Sequence, residues 1–133
     1  MAATIPENFQ DLLISKTTFA HLGTVMSNGT PQVTPVWFSY DGQQILLNSA
    51  KGRVKDNNMR ARPHVALSIL DPDNAYRYIQ IIGEITEITE QGGDAHIDSL
   101  AKKYLGQDSY PFRQPGEVRV IYKVTPSKVQ TMG

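Results

Sequence analysis

The chain has 133 residues, 40% of them hydrophobic and 20% charged, with 13 basic and 13 acidic side chains that cancel and no cysteine. Such a length and composition predict one soluble globular domain over 1–133 with a single packed core. The zero net charge leaves no global field to attract nucleic acid or an anionic membrane, the lack of cysteine removes disulfides and thiolate chemistry, and no apolar run approaches the roughly 20 residues of a membrane span.

The start, Met1 to Gln10, carries neither the basic nor the apolar region of a secretion signal, so a cytoplasmic location is expected. Ile5, Phe9, Leu12 and Leu13 recur at helical spacing behind Thr4 as an N-cap and Pro6 in the first turn, predicting a short amphipathic helix. Thr18 to Met26 reads as a strand that stops at Asn28-Gly29, a pair suited to the positive φ angles of a tight hairpin. Gln32 to Tyr40 returns as a second strand, and Asp41-Gly42 turns it into a third, Gln44 to Ser49, to make a meander. Pro35 cannot donate to a ladder, so one side of the second strand there must face solvent, a bulge or a ligand.

Lys51 to Arg62 reads as a polar helix stopped by Pro63, with Val54, Met59 and Ala61 to bury. Val65 to Leu70 follows as a strand, Asp71 to Asn74 as its turn, and Tyr76 to Thr89 as a long strand bent at Gly83. Asp94 to Leu105 is an amphipathic helix closed by Gly106. Val118, Val120, Tyr122 and Val124 alternate as a last strand, followed by Pro126 and an extended end through Val129. Six or seven mostly antiparallel strands with about three short helices predict a mainly β (α+β) barrel with helices at its rim. Strand order does not follow from local pattern.

Two segments carry candidate chemistry. At Lys51-Gly52-Arg53 a glycine permits close approach, a helix start offers free N–H groups, and Arg53 and Lys55 add cationic donors, a combination suited to phosphate. Asn58, about a turn and a half on, either reaches the same ligand or braces the loop; the alternative for the whole helix is a solvated surface face. In Thr34-Pro35-Val36-Trp37 the ladder is interrupted, and freed backbone groups suit the edge of a planar heterocycle, against the alternative of a plain edge strand with Trp37 in the core. Tyr76 and Tyr78 share a strand face, as ordinary cross-strand packing also would. His21, His64 and His96 are scattered with no paired spacing, which argues against a metal centre. The usual loops of serine hydrolases, nucleotide triphosphatases and Rossmann dehydrogenases do not occur.

Read together, Phe19-Ala20-His21-Leu22-Gly23-Thr24-Val25, Gly29 to Phe38, Lys51 to Asn58, Tyr76 to Gly83, and Tyr104-Leu105-Gly106 with Tyr110-Pro111 resemble the pyridoxamine-phosphate-oxidase-like split β-barrel family, in particular its branch using the deazaflavin coenzyme F420. The resemblance spans nearly the whole chain. It implies a homodimer with two equivalent sites, each cofactor lying across the interface. Lys51, Gly52, Arg53, Lys55 and Asn58 match the stretch that holds the phosphate-bearing tail. Thr34, Pro35, Val36 and Trp37, with Asn48 and Ser49, match positions lining the ring system, and Tyr76 and Tyr78 of the other subunit match the substrate side. The residues that bind pyridoxamine phosphate in vitamin-processing members have no match, so a different small-molecule substrate is implied.

The activity this implies is hydride transfer from reduced F420 to a small unsaturated organic substrate, with the protein supplying orientation. No dedicated catalytic acid is identifiable. The alternatives are an FMN-dependent oxidase or reductase of the same fold, and a protein that sequesters a cofactor or haem without turnover.

Overall fold

The computed structural model describes residues 2–133. Ala20–Val25 (β1) turns at Met26–Thr30 into Pro31–Val36 (β2), pairing antiparallel from Ala20 against Val36 to Val25 against Pro31. Of the Asn-Gly pair, only Gly29 adopts positive φ, at 87°. Asn28 instead accepts a hydrogen bond from the Thr30 N–H at 3.0 Å, so a longer turn than the expected tight hairpin closes the strands.

The second strand departs from expectation more sharply. It breaks at Trp37, and its far half, Phe38–Tyr40 (β3), pairs with Ile45–Ala50 (β4). His64–Asp71 (β5), Asn74–Thr89 (β6) and Arg119–Met132 (β7) complete one antiparallel sheet in the order β2-β1-β5-β6-β7-β4-β3. The two edge strands are thus consecutive in the chain and only one residue apart, so the sheet must curl until its edges meet at Trp37. The result is a split β-barrel of seven strands rather than a continuous opening meander.

Alternation along the strands fills the interior: Leu67, Ile69, Ile79, Ile81, Tyr122 and Val124 are all at most 1% exposed. Each such side chain contributes about 1.5–3 kcal/mol on burial. The barrel bends where Gly83 faces Pro126 across a register shift. A Cβ on Gly83 would lie 2.6 Å from Val124 Cγ1, so no larger residue fits without displacing β7.

The remaining elements plug or cover this barrel. The opening segment is a 3-10 turn over Glu7–Leu12, begun after Pro6 without a side-chain cap. Thr4 does not cap it; the three-residue repeat of the tighter helix sets Phe9 and Leu12 on one line into the core. Val54–Ala61 (α1) buries Asp56, Asn58 and Met59, whereas Val54 and Ala61 point outwards, contrary to expectation. The polar pair is buried because the barrel supplies partners: Asp56 accepts from the Tyr122 hydroxyl at 2.5 Å and from the Gly52 N–H at 2.9 Å. Gly93–Leu105 (α2) lies so close to β7 that a Cβ on Gly93 would collide with the Arg119 carbonyl. That cover buries both faces of β7 from Arg119 to Tyr122, so the simple alternation expected there is lost. The same strand continues through Pro126 to Met132, beyond the expected end. No helix among the described residues is long and apolar enough to cross a membrane.

Candidate functional site

A cleft of about 240 Å³ opens at the seam where the two sheet edges meet. Pro35, Val36 and Trp37 form one wall, Asn48 and Ser49 of β4 the floor, Arg53 and Lys55 one end, and Ile97 of α2 with Tyr110 and Phe112 the other side. Trp37 is half-buried and neither a core residue nor free: its ring stacks on Tyr104 at 5.1 Å with 4° between planes, and Tyr110 meets its edge at 6.0 Å. The Tyr104 hydroxyl donates to the Thr18 carbonyl at 2.5 Å, which fixes the stack from behind. Burial pushes that phenol up to about 12, so it stays protonated.

The loop carrying Tyr110 and Phe112 is irregular but tethered. Arg113 bridges Asp94 at 2.6 Å and Asp98 at 2.7 Å, and Asp98 also accepts from the Tyr110 N–H at 2.9 Å. An aromatic side is thereby held over a cleft that also carries Arg53, Lys55 and Arg119.

A chain of hydrogen bonds runs beneath the floor. Glu117 accepts from Arg119 Nη1 at 2.7 Å, Arg119 Nε donates to Asn48 Oδ1 at 2.9 Å, and Asn48 Nδ2 donates to the Gly93 carbonyl and to His96 Nδ1. Because Nδ1 of His96 accepts, its proton sits on Nε2, which donates to Ser39 Oγ at 2.9 Å. Burial, reinforced by the Arg119 charge, lowers this imidazole to about 4, so it is neutral and both its nitrogens are occupied. His96 therefore serves the framework and has no proton to deliver at neutral pH.

The charge at the cationic end is only partly compensated. Among the described residues no ion pair involves Arg53 or Lys55. Burial lowers the Lys55 ammonium, and the neighbouring charges of Arg53 and Arg119 lower it further. Glu117 pairs with Arg119 and lies in the field of Arg53, which leaves an excess of positive charge at Arg53 and Lys55 that an anion would offset. Ser49, 2% exposed, has an Oγ with no hydrogen-bond partner, but it shares the inward face of β4 with Leu47 and Ile45. An anionic, planar molecule fits the free cations and the stacked aromatic wall.

Seven of the residues expected from sequence converge on this cleft: Pro35, Val36, Trp37, Asn48, Ser49, Arg53 and Lys55. The others are placed elsewhere. Thr34 lies further along β2, Lys51 pairs with Glu90 at 2.9 Å, and Gly52, with φ 93°, shapes the turn into α1. Asn58 faces inwards, donating to Thr24 Oγ1 at 3.0 Å and accepting from Arg62, which is the bracing alternative. Tyr76 and Tyr78 stand on β6 and do not line the cleft of their own chain; the resemblance assigns them to the cleft of a partner copy. Phe19, Ile97, Tyr110, Phe112 and Arg119 line it without having been singled out. Arg119 had a signal, as the lone charge in the apolar run Val118 to Tyr122. Tyr110 stood in the stretch Tyr110-Pro111 that carried the family resemblance, without a site role attached, and Phe112 had no signal beyond being aromatic in a proline-flanked loop.

No curated protein matches the chain. Among solved structures, one named F420 reductase is 34% identical, covering 95% of this chain and 98% of its own, with a TM-score of 0.83. A conserved hypothetical protein from Mycobacterium tuberculosis is 22% identical over 98% of this chain and 86% of its own, with a TM-score of 0.74, and General Stress Protein 26 from Bacillus anthracis is 16% identical over 90% and 88%, with a TM-score of 0.65. These last two share the fold. The family described as pyridoxamine 5'-phosphate oxidase matches residues 5–133. With the split barrel, the seam cleft and that match in place, the chain belongs to the pyridoxamine 5'-phosphate oxidase family of flavin-binding oxidoreductases.

Proposed function

We propose that the chain is a homodimeric oxidoreductase that uses reduced F420, held in the seam cleft, to reduce a small unsaturated organic substrate. The observation that carries this reading is the cationic end of the cleft, where Arg53 and Lys55 stand without carboxylate partners beside a stacked aromatic wall. The 34% identity to a protein named F420 reductase supports the deazaflavin over FMN.

When bound, the cofactor supplies the hydride. Arg53 and Lys55 hold an anionic group by charge-assisted hydrogen bonds. The Trp37–Tyr104 stack gives the wall a fixed plane, so orientation is set before the substrate arrives. Tyr110 and Phe112 exclude water from the same space, which strengthens each polar contact inside it.

A partner copy has a candidate surface. Leu70, Tyr78 and Met132 are aligned across β5, β6 and β7, and Leu70, Met132, Ile82 and Tyr76 are 38–82% exposed, an apolar face larger than a scatter of single residues. The test titrates purified protein with F420 and with FMN, following ligand fluorescence, and measures mass in solution by light scattering. Tighter F420 binding by a dimer is expected. Tighter FMN binding replaces the cofactor assignment with the flavin reading, and a monomer that binds neither overturns the proposal.

A further inference from the structure

Arg119 is the one charged residue of the cleft that is almost wholly buried, at 5% exposure. Its Nε and Nη1 are committed to Asn48 and Glu117, and its guanidinium lies 5.1 Å from the centre of the Tyr110 ring. Two fixed donors and a ring face define the plane of the group, so the third nitrogen has little freedom. Nη2 makes no hydrogen bond within the described residues and is not sealed from solvent, and Arg119 lines the cleft.

Compared with Arg53 and Lys55, the chemistry differs. Those two are partly solvated side chains that follow a ligand's charge, whereas Arg119 is neutralised by Glu117 and contributes a donor held in one direction. A donor of that kind discriminates by position.

We propose that Arg119 is a third ligand of the bound cofactor and a specificity-determining one, presenting Nη2 to an oxyanion or carbonyl oxygen of that molecule at the floor of the cleft. This rests on the reading of the cleft as a cofactor site. The acceptor oxygen belongs either to the phosphate or to the ring, and tail-less probes separate the two.

The test measures dissociation constants of F420, FMN, riboflavin and the deazaflavin fragment lacking the phosphate-bearing tail, for wild type, Arg119→Met and Arg119→Lys. Thermal melts establish that each variant is folded. Where Arg119→Met does not fold because Glu117 is left charged and buried, the double variant Glu117→Gln/Arg119→Met removes both charges together. The expected result is a loss of roughly 10- to 100-fold for the favoured cofactor, the size of one hydrogen bond to a charged group. Arg119→Lys does not restore it, since an ammonium lacks the fork. An equal loss with the tail-less probes assigns the contact to the ring; a loss only with the intact cofactors assigns it to the phosphate. Wild-type affinity in a folded Arg119→Met or double variant overturns the proposal. If wild type binds neither tricycle, the cofactor reading fails separately, and Arg119 is judged with inorganic pyrophosphate. A rise in melting temperature with that probe, abolished in the variants, supports it as an anion ligand; no rise in wild type, or a rise that the variants keep, overturns it.

Discussion

Two clusters of charge on this protein are built in opposite ways. At the closed side of the barrel, Arg77 bridges Asp11 at 2.7 Å and Asp71 at 2.8 Å, Lys16 reaches Asp71 at 2.9 Å, and Arg77 also lies over the Phe9 ring. Every cation there has a carboxylate, and the pair Lys16 and Arg77 is raised by those partners while Asp71 is held well below the usual carboxylate range. At the cleft, Lys55 is lowered, by burial first and then by other cations. The sign of the shift separates a cluster that staples the opening turn to the β5–β6 hairpin from one in which Lys55 sits among cations with no carboxylate of its own.

The strongest way to break this contrast is to delete cations from each side. Arg53→Ala combined with Lys55→Ala is expected to weaken F420 binding roughly 100-fold, as loss of two charge-assisted contacts implies, while the melting temperature stays within about 2 °C of wild type. Fluorescence titration and calorimetry check the two halves. Arg77→Ala should invert the pattern: melting falls by roughly 5 °C or more, because Asp71 loses a partner at a nearly buried position, and the folded fraction binds within about twofold of wild type. Equal effects of both changes on affinity would remove the distinction.

Titration sharpens it further. Asp11 and Asp71 have depressed folded values, so their stabilisation is complete above the unfolded carboxylate range near pH 4 and is lost as pH falls through the lower folded values. Lys55 has a depressed folded value for a base, so the unfolded chain holds the extra proton and stability rises with pH through that value. Anion affinity moves the other way and declines over the same alkaline range as the ammonium discharges. Urea melts against pH should therefore show an acid loss, and binding an alkaline one. The smallest effect belongs to Lys51→Ala, whose exposed pair with Glu90 is expected to matter by less than about 1 °C in melting and not at all in affinity.

Local pattern revealed much of this architecture and less of its closure. The alternation in β5 and the Gly106 end of α2, with φ 71°, follow from short-range sterics and were legible. Pro35 signalled an interruption of the ladder but not a break at Trp37; what divides the strand is that its first half pairs back with β1 and its second half forward with β4. The same reason hid the burial of Asp56 and Asn58: a polar helix looks solvated until Tyr122 and Thr24 arrive from distant strands. In the cleft, the cationic and strand-two contributions were readable because each lies in one short segment. Arg119, Tyr110 and Phe112 were not, because their role exists only once β7 and the last loop are brought beside β4.

The break at Trp37 has an effect on how the site comes into being. Since the residues flanking it belong to strands at opposite extremes of the pairing order, neither hairpin alone contains the whole lining of the cleft. The binding surface is assembled in the same event that joins the two ends of the sheet, so a partly folded chain with either hairpin detached has nothing to offer the ligand. A ligand that recognises only the joined state adds its binding free energy wholly to that state, and amide hydrogens on β2 and β3 should be the ones whose exchange it slows most.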